Sequence, residues 1–121
     1  MCLDIDPEIK TLKNRVVWKV FDKDTGEIAS LYRGAVYPKG KLIERSPGLT
    51  TFEYEGKVIG THGLHFFRSK KLALAEARTW RNAYIAKFAV NPADFMFANR
   101  TEVMYESATR IGDFIKVRYG G

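Results

Sequence analysis

The two histidines of this chain lie three residues apart, in the stretch GTHGLHFFRS at residues 60–69. Imidazole can bind a metal ion, transfer a proton or line a ligand pocket. If HGLHFF is a strand, His62 and His65 lie on opposite faces, because side chains alternate along a strand. Zinc sites need three or four ligands, and the other candidates here are scattered carboxylates. We therefore predict no metal site, and His65 has either a structural role or a place in a pocket.

A group of cations follows at the predicted start of a helix, where Arg68, Lys70 and Lys71 surround the suitable N-cap residue Ser69. The free N–H groups and the dipole at a helix start favour an anion, whereas cations there are unfavourable for the helix itself. Interleaved aromatic and basic residues, such as Tyr32-Arg33, can stack on bases and bind phosphate. The pattern predicts an anion site, and a solvated charge cluster is the alternative.

The composition of the chain restricts the classes of partner. Its net charge of +6 favours nucleic acid, nucleotides or an acidic protein surface. The single cysteine, Cys2, excludes an intrachain disulfide and a CxxC zinc site. No apolar run approaches the length of a membrane span, and MCLDIDPEIK lacks the features of a signal peptide. We expect a cytoplasmic protein that makes no contact with a membrane.

Segments rich in β-branched and aromatic residues predict strands at 15–21, 28–37, 62–67, 84–90, 102–106 and 114–119, with shorter candidates at 42–45 and 51–60. We predict that SATRIGD connects the last two strands. One amphipathic helix is expected at about 69–82. The prediction is a single α+β domain over 1–121, with a mainly antiparallel sheet of about six to seven strands and 1–14 as an irregular N-terminal arm. Exposed edge strands would make a homo-oligomer easy to build.

Short motifs along most of the chain resemble those of an uncharacterised family of small domains from phages and prophages. They are VVWKVF in the first strand, YPKGK in a turn, GLHFFRSKKLALAEA at the helix, then AKFAVNPADFMF and IKVRY. Some members also begin Met-Cys-Leu, as this chain does. The resemblance implies a mobile-element origin, and small phage proteins of this size often counter host defence.

Three segments are also similar to ADP-ribosyltransferases of the poly-ADP-ribose polymerase type: LYRG, GLHFFRSKKLALAEA and TEVMYESATRIGDFIKVRY. The similarity implies that Arg33 holds the nicotinamide nucleotide of NAD. It implies that His65, in place of the family's tyrosine, stacks near the nicotinamide. Glu102 would orient a ribose hydroxyl and stabilise the oxocarbenium-like centre.

Three functional hypotheses follow. The first is a phage-encoded, non-catalytic binding protein without a cofactor, which captures an anionic nucleotide signal or a host defence protein. Its ligand-binding residues would be Tyr32, Arg33, His65, Arg68, Ser69, Lys70 and Lys71. The second is an ADP-ribosyltransferase-like enzyme that uses NAD, with Glu102 as its catalytic residue. The third is a charge-driven nucleic-acid binder, although the sequence lacks a helix-turn-helix, an RNA-binding aromatic signature and a zinc knuckle. We favour the first.

Overall fold

The computed structural model describes residues 3–6, 8–23, 28–30, 40–43, 51–54, 57–60 and 64–120. Within these ranges the chain forms twelve strands, one α-helix and one 3₁₀-helix. In chain order they are β1 (Leu3–Asp4), β2 (Val16–Lys23), β3 (Ile28–Ser30), β4 (Gly40–Ile43), β5 (Thr51–Tyr54), β6 (Lys57–Gly60), β7 (Leu64–Phe67), α1 (Lys70–Ala77), β8 (Ala83–Ala89), the 3₁₀-helix (Pro92–Asp94), β9 (Phe95–Ala98), β10 (Glu102–Tyr105), β11 (Ser107–Arg110) and β12 (Ile115–Val117).

The described strands form two sheets, and each of their pairings is antiparallel. Seven strands of the larger sheet lie in the order β4-β11-β8-β2-β7-β10-β9, while β12 pairs with β8 and β3 pairs with β2. The smaller sheet has the order β1-β6-β5. The predicted α+β class, with a mainly antiparallel sheet and one principal helix, is confirmed.

The centre of the larger sheet is the pairing of β2 with β8, which runs without a break from Val16 opposite Ala89 to Asp22 opposite Ala83. Because side chains alternate along both strands, this pairing divides the sheet into two faces. One face packs against α1. The other carries the larger core, whose buried aromatic residues are Phe21, Phe66, Phe88 and Tyr105.

The helix α1 begins as the sequence predicts, because the Oγ of Ser69 accepts a hydrogen bond from the Leu72 N–H at 3.2 Å. Its inner side is made of small residues. Ala73 and Ala77 are fully buried against a cluster that includes Val20 and Ile85. Small side chains at these positions let the helix axis approach the sheet closely.

The helix is shorter than the predicted span of about 69–82, because it ends at Ala77. The amides of Thr79 and Trp80 bond to carbonyls three residues back, at 3.0 and 3.1 Å, so the chain tightens after the helix. Asn82 then adopts a left-handed conformation with φ of 55°, which turns the chain into β8. The apolar residues of the sequence continue past the end of the helix, because Ala83 is buried as the first residue of β8 and not as part of α1.

The predicted connection SATRIGD is also wrong in part, because its first four residues form the strand β11. This strand pairs with β4 on one side and with β8 on the other. Its residues have the composition of a turn, so the strand is dictated by neighbours that are distant in sequence.

The described residues between β1 and β2, which are 5–6 and 8–15, form no helix or strand, yet they are attached to the sheet. The Asp6 N–H donates to the carbonyl of Ala98 on β9 at 2.9 Å. Leu12 is only 8% exposed and packs in the larger core, with Ile9 beside it. The predicted irregular arm therefore contributes to the core.

Replacing Leu12 with alanine tests that contribution. We expect the free energy of unfolding to fall by about 2–4 kcal/mol, because the substitution leaves a cavity in the core. The measurement is chemical denaturation followed by circular dichroism. The neighbouring exposed residue provides the control, since Lys13→Ala should change stability by less than about 0.5 kcal/mol. Equal effects of the two substitutions would show that the arm does not pack on the core.

Candidate functional site

Four partly exposed side chains form a row across the helix-bearing face of the sheet. Trp18 on β2 lies opposite Lys87 on β8 and opposite Phe67 on β7, and Phe67 lies opposite Glu102 on β10. Residues directly opposite each other on paired strands project to the same face. The row therefore has the order Lys87, Trp18, Phe67, Glu102, with two aromatic residues between a cation and a carboxylate.

The row lies where the helix begins. Lys70, the first residue of α1, places its ammonium group 5.3 Å from the centroid of the Trp18 ring. Trp18 and Phe67 both pack against the helix cluster and are half-buried, so α1 covers them only in part. Beyond Trp18, the next residue of β2 on this face is Val16, which is 38% exposed. The sheet surface is thus open on the side of the row away from the helix.

The lysines at this place remain in contact with solvent. Lys70 and Lys71 are exposed and Lys87 is half-buried. The first turn of α1 contains no acidic residue. The lysine charges therefore add to the positive end of the helix dipole.

Arg68 has a different environment from the lysines that follow it. Its Nη1 donates to the carbonyl of Asn99 at 3.0 Å, and its backbone N–H donates to the carbonyl of Thr101 at 2.9 Å. The side chain of Asn14 donates to the Arg68 carbonyl at 3.3 Å. The first two hydrogen bonds hold the end of β7 against the connection between β9 and β10, and the third joins it to the segment before β2.

That connection is organised by a single side-chain oxygen. The Oδ1 of Asn99 accepts hydrogen bonds from the backbone N–H of Thr101 at 3.0 Å and from that of Glu102 at 2.7 Å. An asparagine side chain often stabilises a short turn by accepting hydrogen bonds from backbone N–H groups a few residues ahead. It fixes the backbone of Glu102 at the end of the row.

His65 lies deeper than the row. It is 8% exposed, and it pairs with Met104, which is fully buried. His65 and Phe67 are two residues apart on β7, so both project to the helix-bearing face. The carbonyl of His65 accepts a hydrogen bond from Lys19 Nζ at 2.8 Å. The described structure places this imidazole among core residues.

Tyr105 is a fully buried polar residue in the larger core, with Phe66 and Phe95 in ring contact. Its hydroxyl has no hydrogen-bond partner among the described residues. Burial raises the pKa of this hydroxyl above its ordinary value of 10.0, and the positive charge of Arg68 partly opposes that shift.

The structure brings together only part of the predicted site. Ser69, Lys70 and Lys71 lie at the helix start beside the row, and Glu102 lies at its far end. The guanidinium of Arg68 is bound to Asn99, and His65 is buried. Tyr32 and Arg33 lie outside the described residues, as do Cys2 and His62.

Sequence reasoning missed Trp18, Phe67 and Lys87 as site residues. They are far apart along the chain, and only the strand register places them side by side. The one available signal was the alternation of aromatic and basic residues in VVWKVF and HFFR.

The described residues contain no group of three or more His, Cys, Asp or Glu residues placed to hold a metal ion. None of their helices has both the length and the apolar character needed to cross a membrane. Comparison of the chain with family models, curated proteins and solved structures finds no match.

Substituting Tyr105 with phenylalanine tests the buried hydroxyl. An unpaired buried hydroxyl costs about 1–3 kcal/mol, so we expect Tyr105→Phe to leave stability unchanged or to raise it at pH 7. Burial raises the folded-state pKa of Tyr105. The free energy of unfolding of the wild-type protein should therefore fall as the pH rises above about 10, whereas the variant, which has no hydroxyl to ionise at this position, should not lose stability in this way. Urea denaturation at pH 7 and pH 10.5 measures both effects. Tyr119→Phe, at an exposed residue, is the control, and a loss of more than about 1 kcal/mol in Tyr105→Phe at pH 7 would contradict the prediction.

Proposed function

We propose that this chain is a small binding protein that captures an anionic ligand at the Trp18 platform, by which we mean Trp18 and Phe67 with Lys70 and Lys87 beside them. The observation that carries the proposal is that one half-buried indole ring has the Lys70 ammonium group of α1 over it and has Lys87 of β8 as its cross-strand neighbour. These residues are distant in sequence, so their meeting is a property of the fold and not of one basic segment.

The electrostatics of the platform support an anion. Lys70 and Lys71 occupy the first turn of α1, where the helix dipole disfavours cations, and a bound anion would offset that unfavourable term. The net charge of +6 raises the local concentration of anions around the whole molecule. Lys87 is half-buried, and a charge that is partly removed from water interacts more strongly with a ligand than a fully solvated one.

The resemblance to phage and prophage domains gives the proposal a biological setting. In that setting the protein is encoded by a mobile element, and its anionic ligand is a nucleotide signal or a component of a host defence system. Capture without chemistry would be enough to remove such a signal.

Ser69→Asp separates anion binding from folding. Aspartate is as good an N-cap as serine and favours the helix dipole, so the fold should be kept. The added negative charge should weaken the binding of tripolyphosphate about fivefold or more, because one like charge at close range is worth about 1 kcal/mol even in water. The measurement is isothermal titration calorimetry at low salt, with thermal unfolding as the check on folding.

Thr11→Asp adds the same charge at an exposed residue of the N-terminal arm and should change tripolyphosphate affinity by less than twofold. Raising the salt concentration should weaken binding to the wild-type protein. The proposal is wrong if the wild-type protein does not bind tripolyphosphate, or if the two aspartate variants bind it equally well.

One observation favours a second candidate, an ADP-ribosyltransferase-like enzyme. His65 lies on β7 and Glu102 lies on the neighbouring strand β10, opposite Phe67. Because His65 and Phe67 are two residues apart on β7, the side chains of His65 and Glu102 project to the same face of the sheet. The hypothesis requires both side chains on one surface. Arg33, the third residue of that hypothesis, lies outside the described residues.

The enzyme hypothesis predicts that the purified protein releases nicotinamide from NAD. Glu102→Gln should abolish that turnover, because the amide keeps the shape of the side chain and removes the charge that would stabilise the oxocarbenium-like centre. Glu106→Gln, at an exposed residue after the same strand, is the matched control and should keep full activity. Nicotinamide release is followed by chromatography, and its absence from the wild-type protein would leave only the binding function.

A further inference from the structure

We infer that the ligand of the Trp18 platform carries a flat aromatic ring as well as its negative charge, which makes it a nucleotide and not an inorganic anion. This inference rests on the proposed function and adds the class of ligand to it. It depends on the row of Lys87, Trp18, Phe67 and Glu102 and not on the helix start alone.

The row provides an aromatic surface that an inorganic anion would not need. Trp18 and Phe67 are direct cross-strand neighbours, and both keep part of their surface exposed although they pack against the helix cluster. The next position of β2 on this face is Val16, which is 38% exposed. Partly exposed aromatic side chains bind bases by stacking, which works with any base because each has a π-face.

Lys70 already holds the position that a stacked ring would take. Its ammonium group lies 5.3 Å from the Trp18 centroid, within the range of a cation–π contact. Lys70 is exposed, so its long side chain can leave the ring at little cost. A base that stacks on Trp18 would release this ammonium group to bind the phosphate of the same ligand.

The two ends of the row give the ligand a direction. Lys87 and Glu102 are separated by three strand spacings, a distance of about 14 Å. A phosphate is attracted to the Lys87 end of the row. The ligand therefore lies with its phosphate over Lys87 and Lys70, and with its uncharged part directed along Phe67.

The experiment compares three probes by isothermal titration calorimetry: ATP, tripolyphosphate, which lacks a base, and adenosine, which lacks phosphate. We expect ATP to bind at least about tenfold more tightly than tripolyphosphate, and adenosine to bind measurably but more weakly than ATP. Trp18→Leu, which keeps an apolar side chain without a ring, should reduce ATP affinity to that of tripolyphosphate and leave tripolyphosphate affinity within twofold. Equal affinity of the wild-type protein for ATP and tripolyphosphate would overturn the inference.

A second readout needs no substitution at Trp18. The chain contains two tryptophans, so Trp80→Phe leaves Trp18 as the single indole fluorophore. In this variant ATP should quench the emission strongly by stacking, whereas tripolyphosphate should not. Unchanged emission on saturation with ATP would also overturn the inference.

Lys116 supplies the matched control for Lys70, because its ammonium group lies 5.4 Å from the Tyr84 ring in a similar contact away from the row. Lys70→Gln should weaken both ATP and tripolyphosphate about fivefold, and Lys116→Gln should affect neither. The failures are distinguishable. If tripolyphosphate binds but the ring adds nothing, the nucleotide inference is wrong and anion capture stands, whereas if neither phosphate probe binds, the proposed function is also wrong.

Discussion

The register between β2 and β8 is the constraint on which the rest of the structure depends. It fixes which residues of β2 face the helix and which face the larger core, and a shift by one residue would exchange the two sets. Val17 and Phe21 would then meet α1, and Trp18 would be directed into a core without space for an indole. The same register places Trp18 opposite Lys87, so stability and the candidate site share one cause.

The site has a rigid half and an adjustable half. On the β10 side, Asn99 holds the turn before Glu102, and Arg68 is fixed by hydrogen bonds to that turn. On the helix side, Lys70 and Lys71 are exposed side chains with several rotatable bonds. Under the proposed function, the sheet residues would define the shape of the ligand while the lysines adapt to the position of its charge.

The sequence predicts local features well and long-range ones poorly. Strands with β-branched and aromatic residues, and the N-cap at Ser69, follow from residue type and spacing alone. The strand β11 could not be found in this way, because a turn-like composition is overridden by two neighbouring strands. The turn into β8 depended on the left-handed Asn82, and the site depended on cross-strand partners far apart in sequence. Lys70 and Lys71 were predicted because they are contiguous, whereas the Trp18 ring beneath Lys70 was not.

The hydrogen bond from Asp6 to Ala98 has a consequence for how the molecule is made. Residues 3–6 precede their partners on β6 and β9 along the chain, so these contacts form only after β9 has been synthesised. Such distant contacts slow folding, because a large loop must close before they form. Once in place, this segment covers part of the outer strand β9, which would otherwise offer its backbone to another copy. That strand is thus unprotected only during the interval before residues 3–6 dock.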